Sequence, residues 1–356
     1  MLENPPRGWL NNINSQTGTY AVVNSDFGDT VALGGAAFYD VTLAAVAGFR
    51  PDFICALANV DAVRGKRIVP NGVTPFILYP GQTAFLFVNN GAWSVMRPTR
   101  WKLTAAVTLY VDGAGSANND GLASGAGGAF ATMAQAISAA QNNIDLQGQN
   151  LTISVADAAY TVAVTISGPF TGQNGATVTL QGNVATPANC IISTTSANAI
   201  RVANGAVVTI TGFKLQTTTG GDCLQVDGAR ATLGPMEYGA CAGNQIRALN
   251  NGYVNPSSNY TISGGAVTHW AATALGLVNS PGRTITLTGT PAFSTAFAQT
   301  FNLGSIVASS TCTFVGAATG TRYTVTLNGV IRVDGAGAAY LPGSVAGAAA
   351  SGGQYA

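Results

Sequence analysis

The sequence predicts an all-β chain: a small N-terminal β-sandwich or barrel, then a right-handed parallel β-helix capped by one short α-helix. Three observations carry this reading. A glycine-centred unit recurs about every 24 residues through the second half of the chain. Only 8% of the 356 residues are charged, 15 Lys+Arg against 14 Asp+Glu. One segment alone has clear helical apolar spacing, Phe130, Met133, Ala134, Ile137 and Ala140.

The low charge excludes several classes. Nucleic-acid binding through counterion release needs clustered Lys and Arg, and these are too few. Charge-driven disorder is excluded because 47% of residues are hydrophobic and the net charge is +1. Solvent-facing helices favour Glu and Lys, whereas Thr, Val, Ser and Gly dominate here and favour strands and turns.

The N-terminal residues Met1 to Trp9 show neither a basic region nor an apolar run, so no secretory signal is expected. Elsewhere no apolar run reaches the roughly 18 residues of a membrane span. The five cysteines (Cys55, Cys190, Cys223, Cys241, Cys312) form no CxxC pair. Buried reduced thiols are expected, with a Cys190–Cys223 or Cys223–Cys241 bridge as the alternative, in a protein made in a reducing cytoplasm.

Residues 1–104 read as one domain, holding three of the four tryptophans (Trp9, Trp93, Trp101). Runs such as Tyr39–Leu43, Phe76–Tyr79 and Phe85–Val88 alternate as strands. Pro70-Asn71-Gly72, Pro80-Gly81 and Asn89-Asn90-Gly91 supply turn or hairpin chemistry, so an antiparallel sandwich or barrel is expected. The basic sets Arg64, Lys66, Arg67 and Arg97, Arg100, Lys102 read as docking or solvated surface.

The second domain, 105–335, opens with a strand at 109–112, a glycine-rich loop over 113–128 and the capping helix at 130–142. The repeat follows. Its glycines are Gly175, Gly205, Gly228, Gly252, Gly276, Gly304 and Gly329, usually after Asn or Asp, and each leads into a short alternating strand. A second strand per period can be placed at Ala199-Ile200-Arg201-Val202, Cys223-Leu224-Gln225-Val226 and Gln245-Ile246-Arg247-Ala248. Two or three strands per repeat with almost no helix make a stacked solenoid. Seven coils at roughly 4.8 Å would span about 34 Å. Neutral residues then suit the stack, since like neighbours repel when charged and hydrogen-bond when they are Asn or Thr. Residues 336–356, rich in Gly, Ala and Ser, read as a flexible tail.

The segment Tyr110-Val-Asp-Gly-Ala-Gly-Ser-Ala-Asn-Asn-Asp120-Gly121, followed by Phe130-Ala-Thr-Met-Ala-Gln-Ala-Ile137, resembles the start of pectate-lyase-like β-helix domains in phage tail fibres and tailspikes. Tyr340-Leu-Pro-Gly343-Ser-Val-Ala-Gly347 and Gly352-Gly-Gln-Tyr355 look like the ends of phage fibre and head-spike proteins, those of gene transfer agents included. The resemblance covers roughly 105–356. It implies a virion location and a homotrimer attached to head or tail proteins through residues 1–104, with the remainder presented to host-surface polysaccharide. A decorative or structural role without glycan is the alternative, as is a polysaccharide lyase or hydrolase.

Chemical constellations are sparse. Gly113-Ala-Gly115 lacks the third glycine of a dinucleotide loop. Ser116, Asn118, Asp120 and Gly121 suggest a calcium loop, but Gly127 stands where the bidentate Glu belongs. The single His269 has no nearby cysteine for zinc and no second histidine for a triad, so no metal and no cofactor are expected. The acids of the coils are Asp222, Asp227 and Glu237; they are the catalytic candidates if the chain is an enzyme, although Asp222 and Asp227 occupy turn positions. Binding is better supplied, with Trp270, His269, Tyr238, Tyr253 and Tyr260 as sugar-ring contacts and Arg230, Arg247 or Arg283 as partners for acidic sugars. Trp270 is the first expected exposed contact.

Overall fold

The computed structural model describes residues 12–98 and 100–356. The reading of residues 1–9 as lacking a leader lies outside them. By packing the chain forms two compact units, one running to Leu103 and including Leu109–Asp145, the other made of Thr104–Thr108 and Leu146–Ala356. The helix, Met133–Asn143, therefore groups with the N-terminal sheets, although composition draws the boundary before it.

In the first unit the chain alternates between two sheets over one core. Ile13–Gln16, Thr30–Leu33 and Ile54–Asn59 pair in parallel, as do Tyr20–Val22, Asp40–Leu43 and Lys66–Pro70. Antiparallel pairing enters with Phe76–Leu78 on one sheet and Thr83–Asn89 with Ala92–Met96 on the other. Two sheets facing a common core were expected; parallel pairing of their first three strands corrects the antiparallel expectation. The hairpin expected at Asn90-Gly91 is present, with both residues at positive φ (48° and 71°) as its tight turn requires. Val31, Leu33, Leu57 and Leu86 of one sheet meet Val41, Leu43, Ile68 and Leu78 of the other, around Phe53 and Trp93.

Of the two basic sets, Arg64, Lys66 and Arg67 are internal fasteners and not solvated surface, whereas Arg97 and Lys102 are exposed. Lys66 is fully buried, with Nζ 2.7 Å from Asp61 Oδ2 and donating to the carbonyls of Gly35 and Ala37. Arg67 pairs with Asp40. Arg64 grips Asp120 through Nε at 2.9 Å and Nη2 at 3.1 Å, and Asp120 also accepts from the amides of Gly65 and Leu122. The loop that suggested calcium thus spends its carboxylate on a buried ion pair.

The second unit is a parallel β-solenoid. One ladder runs through Leu151–Val155, Val178–Gln181, Val207–Thr211, Arg230–Leu233, Tyr253–Pro256, Leu277–Asn279, Ser305–Val307, Val330–Arg332 and Gln354–Tyr355. A 7-stranded and a 9-stranded sheet complete each coil. The register follows the glycine period: Val208, Ala231, Val254, Val278, Ile306 and Ile331 stack one above another and are all buried. Beside them Thr152, Thr179, Thr209, Thr232 and Asn255 form a neutral outward column, the ladder that the low charge implied.

The corner before each first-sheet strand explains the repeat. Ala274 and Leu275 take φ of 47° and 62°, and Asn302 and Leu303 take 49° and 62°. The glycines that follow serve a different need. A Cβ on Gly276 would collide with the carbonyl oxygen of Ala248, and one on Gly304 with that of Ala272, in the adjacent coil.

Residues 336–356 are not a loose tail. Ala348–Ala349 pairs with Thr324–Val325, and Gln354–Tyr355 pairs with Val330–Ile331, so the chain adds a further coil. Tyr355 stacks on Tyr323 at 3.7 Å, and a side chain at Gly347 would collide with the Tyr323 ring. The small residues that suggested flexibility instead permit close stacking.

Candidate binding face of the solenoid

The structure separates the expected aromatic platform into an interior cluster and one surface residue. Trp270, His269 and Tyr238 are fully buried and Tyr260 is 5% exposed, so these four face the core of the coils and not solvent. The reason is local. Thr268, His269 and Trp270 are consecutively buried beside a register shift between Ala266 and Thr268, so period-two alternation of burial fails there. Phe293, Phe297 and Phe314 complete the cluster, with His269 5.0 Å and Trp270 5.3 Å from Phe297.

The hydrogen-bond network assigns the histidine's tautomer. Gln245 Nε2 donates to the carbonyls of Gly239 and Gly264, which leaves its Oε1 facing His269 Nδ1 at 2.7 Å. Nδ1 therefore carries the proton, and Nε2 accepts from the Tyr260 hydroxyl at 2.7 Å. Burial holds the imidazole pKa well below its ordinary value.

The acids are committed to structural pairs. Glu237 lies 2.7 Å from Lys214 Nζ and accepts from Ser263 Oγ at 2.6 Å. Asp222 accepts from the backbone and side chain of Asn244, both at 2.8 Å, and from Gln225. Asp227 accepts from Asn250 at 2.9 Å and Arg201 at 2.6 Å; these two bonds, in that order, hold its carboxyl below the usual range. Glu237 belongs to the 7-stranded sheet and Asp227 to the 9-stranded one, with Asp222 just ahead of the same strand.

What the fold does bring together outside is a polar column. Arg201, Gln225 and Arg247 are in register on three successive coils. Arg201 Nε donates to Gln225 at 3.1 Å, and Arg247 lies 3.6 Å from Asp222. Both arginines keep about a third of their side chains exposed, 36% and 32%. Arg201 and Gln225 were not among the expected contacts, yet the x-Arg-x, x-Gln-x, x-Arg-x recurrence in the second strand was their signal. Tyr253 is partly exposed on the first ladder, with Arg230 5.7 Å from its ring and Asn279 bonded to its hydroxyl. Arg283, which donates to the Pro256 carbonyl, joins neither group.

All five cysteines are buried with free thiols. Burial pushes Cys55 and Cys190 up to about 12, which makes them inert small hydrophobes. Among the described residues no group of three or more His, Cys, Asp or Glu is placed to hold a metal ion, and no helix is long and apolar enough to cross a membrane. Comparison with protein-family models, with curated proteins and with solved structures found no match.

Proposed function

We propose that this chain is a structural fibre or spike subunit of a virion that adheres to host-surface polysaccharide as a homotrimer, docking through residues 1–104. The observation that supports it best is the outward column Arg201–Gln225–Arg247 on a parallel stack. Successive coils lie roughly 4.8 Å apart, so the column presents two part-exposed guanidinium groups along the axis, with donors to spare beyond the bonds of Arg201 to Gln225 and Asp227 and the pairing of Arg247 with Asp222. A polymer bearing carboxylates and hydroxyls suits such a row, because guanidinium groups bind carboxylates in pairs of hydrogen bonds. The rigid ladder suits a load-bearing part.

Two measurements test this reading. Light scattering should give about three times the 35.9 kDa chain mass. Polygalacturonate immobilised on a surface should retain the protein more than dextran does, and Arg201→Ser with Arg247→Ser should lower that retention about fivefold or more. A stable monomer that both polymers fail to retain overturns it. Shortening of the polymer during incubation would instead favour a depolymerase.

A further inference from the structure

We propose that a cleft in the first unit is a binding site for an acidic saccharide. The cleft has a volume of about 550 Å³ and lies among the helix Met133–Asn143, the strand Phe76–Leu78 and the segment at Arg97 and Arg100. That volume is within the range of small-molecule sites.

The lining is chemically one-sided. Among the described residues Arg97 and Arg100 are the only charged ones that line it, and none of those residues is a carboxylate. The neutral polar wall includes Gln82, Asn119, Gln135, Ser138, Asn142 and Asn143. Amides both donate and accept, as sugar hydroxyls do, while two guanidinium groups on one wall suit a single carboxylate. A polyanion such as nucleic acid would need far more basic surface than two arginines.

The wall is also held in place. Arg100 donates to the carbonyls of Gln141 and Ile144, anchoring it at the helix C-terminus. Arg97 donates to the Thr74 carbonyl at 2.7 Å and sits 4.6 Å over the Phe76 ring. Arg97 is exposed, and beyond this bond its five-donor guanidinium has further N–H groups to offer a ligand. Tyr79, 2% exposed, stacks on Trp101 at 5.1 Å, and Asn119 is tied to the carbonyls of Ala126 and Ala129. The helix buries Met133, Ala136, Ile137 and Ala140, and it turns the small residues Ala134 and Ser138 toward the cleft, which leaves the space open.

This site is independent of the solenoid column, and its variants leave that column intact. Calorimetric titration of the full chain with digalacturonate should give saturable binding, with lactose bound about tenfold more weakly or worse. Ser138→Trp fills the cleft from an exposed helix position and should abolish binding with the melting temperature unchanged. Arg97→Gln, which gives up a bond to the surface carbonyl of Thr74, should weaken binding about tenfold and keeps the test decisive if the tryptophan variant misfolds. The proposal is overturned if digalacturonate does not saturate, if either folded variant binds like the wild type, or if a diglutamate peptide binds more tightly than the sugar.

Discussion

The Nε2 of His269 lies 2.7 Å from the hydroxyl of Tyr260, and with Gln245 on Nδ1 this contact fixes the chain's one histidine as neutral. The unfolded imidazole takes up a proton below about pH 6.5, whereas the buried one does not. Protons therefore favour unfolding: the contribution is complete above about pH 6.5 and is lost as the pH falls below it, by about 1.4 kcal/mol per unit. Asp227, whose pKa is lowered, loses its contribution only below about pH 4, so the interval from about 5 to 6.5 isolates His269. Urea midpoints across that interval should slope in the wild type and flatten in His269→Gln. A flat wild-type profile would refute the buried neutral imidazole.

Leu275 and Leu303 hold φ of 62° and are each 56% exposed. A bulky L-residue in the left-handed region costs about 1–2 kcal/mol, and Asn visits that region readily. Leu275→Asn should raise stability by about 0.5–1 kcal/mol, since little burial is lost. Gly276→Ala should lower it by more than about 2 kcal/mol, because its methyl would strike the Ala248 carbonyl. Chemical denaturation of the two variants checks the opposite signs.

Asp120 is completely buried beneath Arg64. Removing one partner strands the other, so Asp120→Ala should cost about 3–5 kcal/mol. Because its oxygens are occupied by Arg64, Gly65 and Leu122, calcium should leave the wild-type melting temperature unchanged. A calcium-dependent rise would show that the carboxylate serves a metal instead.

The final coil makes a kinetic prediction. The amides of Ala350 and Gln354 donate to the carbonyls of Val325 and Gly329. Hydrogen exchange at both should be slowed well beyond that of an unstructured chain. Tyr355→Ala removes the stack on Tyr323 and should speed exchange at these amides first. Unprotected amides in the wild type would restore the flexible tail.

Trp270 shows how far the sequence could be read. Its column neighbours, Ile246 and Ala298, are apolar, which signals an inward position. His269 beside it should then face out by alternation, yet Gln245, His269 and Phe297 are all fully buried, with His269 bonded to Gln245 and packed on the Phe297 ring. The column Arg201–Gln225–Arg247 was legible in the repeat and overlooked; the cleft was not legible, because its walls come from segments about 60 residues apart in the chain.

By itself the sequence determined the coil period, the all-β character and the inward Val, Ile and Leu, because a stack repeats the same local chemistry in each coil. Its repeat glycines marked the corner before each first-sheet strand, and its low charge implied the neutral columns. The tertiary structure alone decided the rest. It buried the aromatic run at consecutive positions beside a register shift, paired the first strands in parallel, and joined Arg64 to Asp120 across 56 positions. It also converted the Gly/Ala-rich end into a coil. Alternation and turn preference are local properties, whereas strand partners, bends and buried ion pairs depend on what lies across the fold.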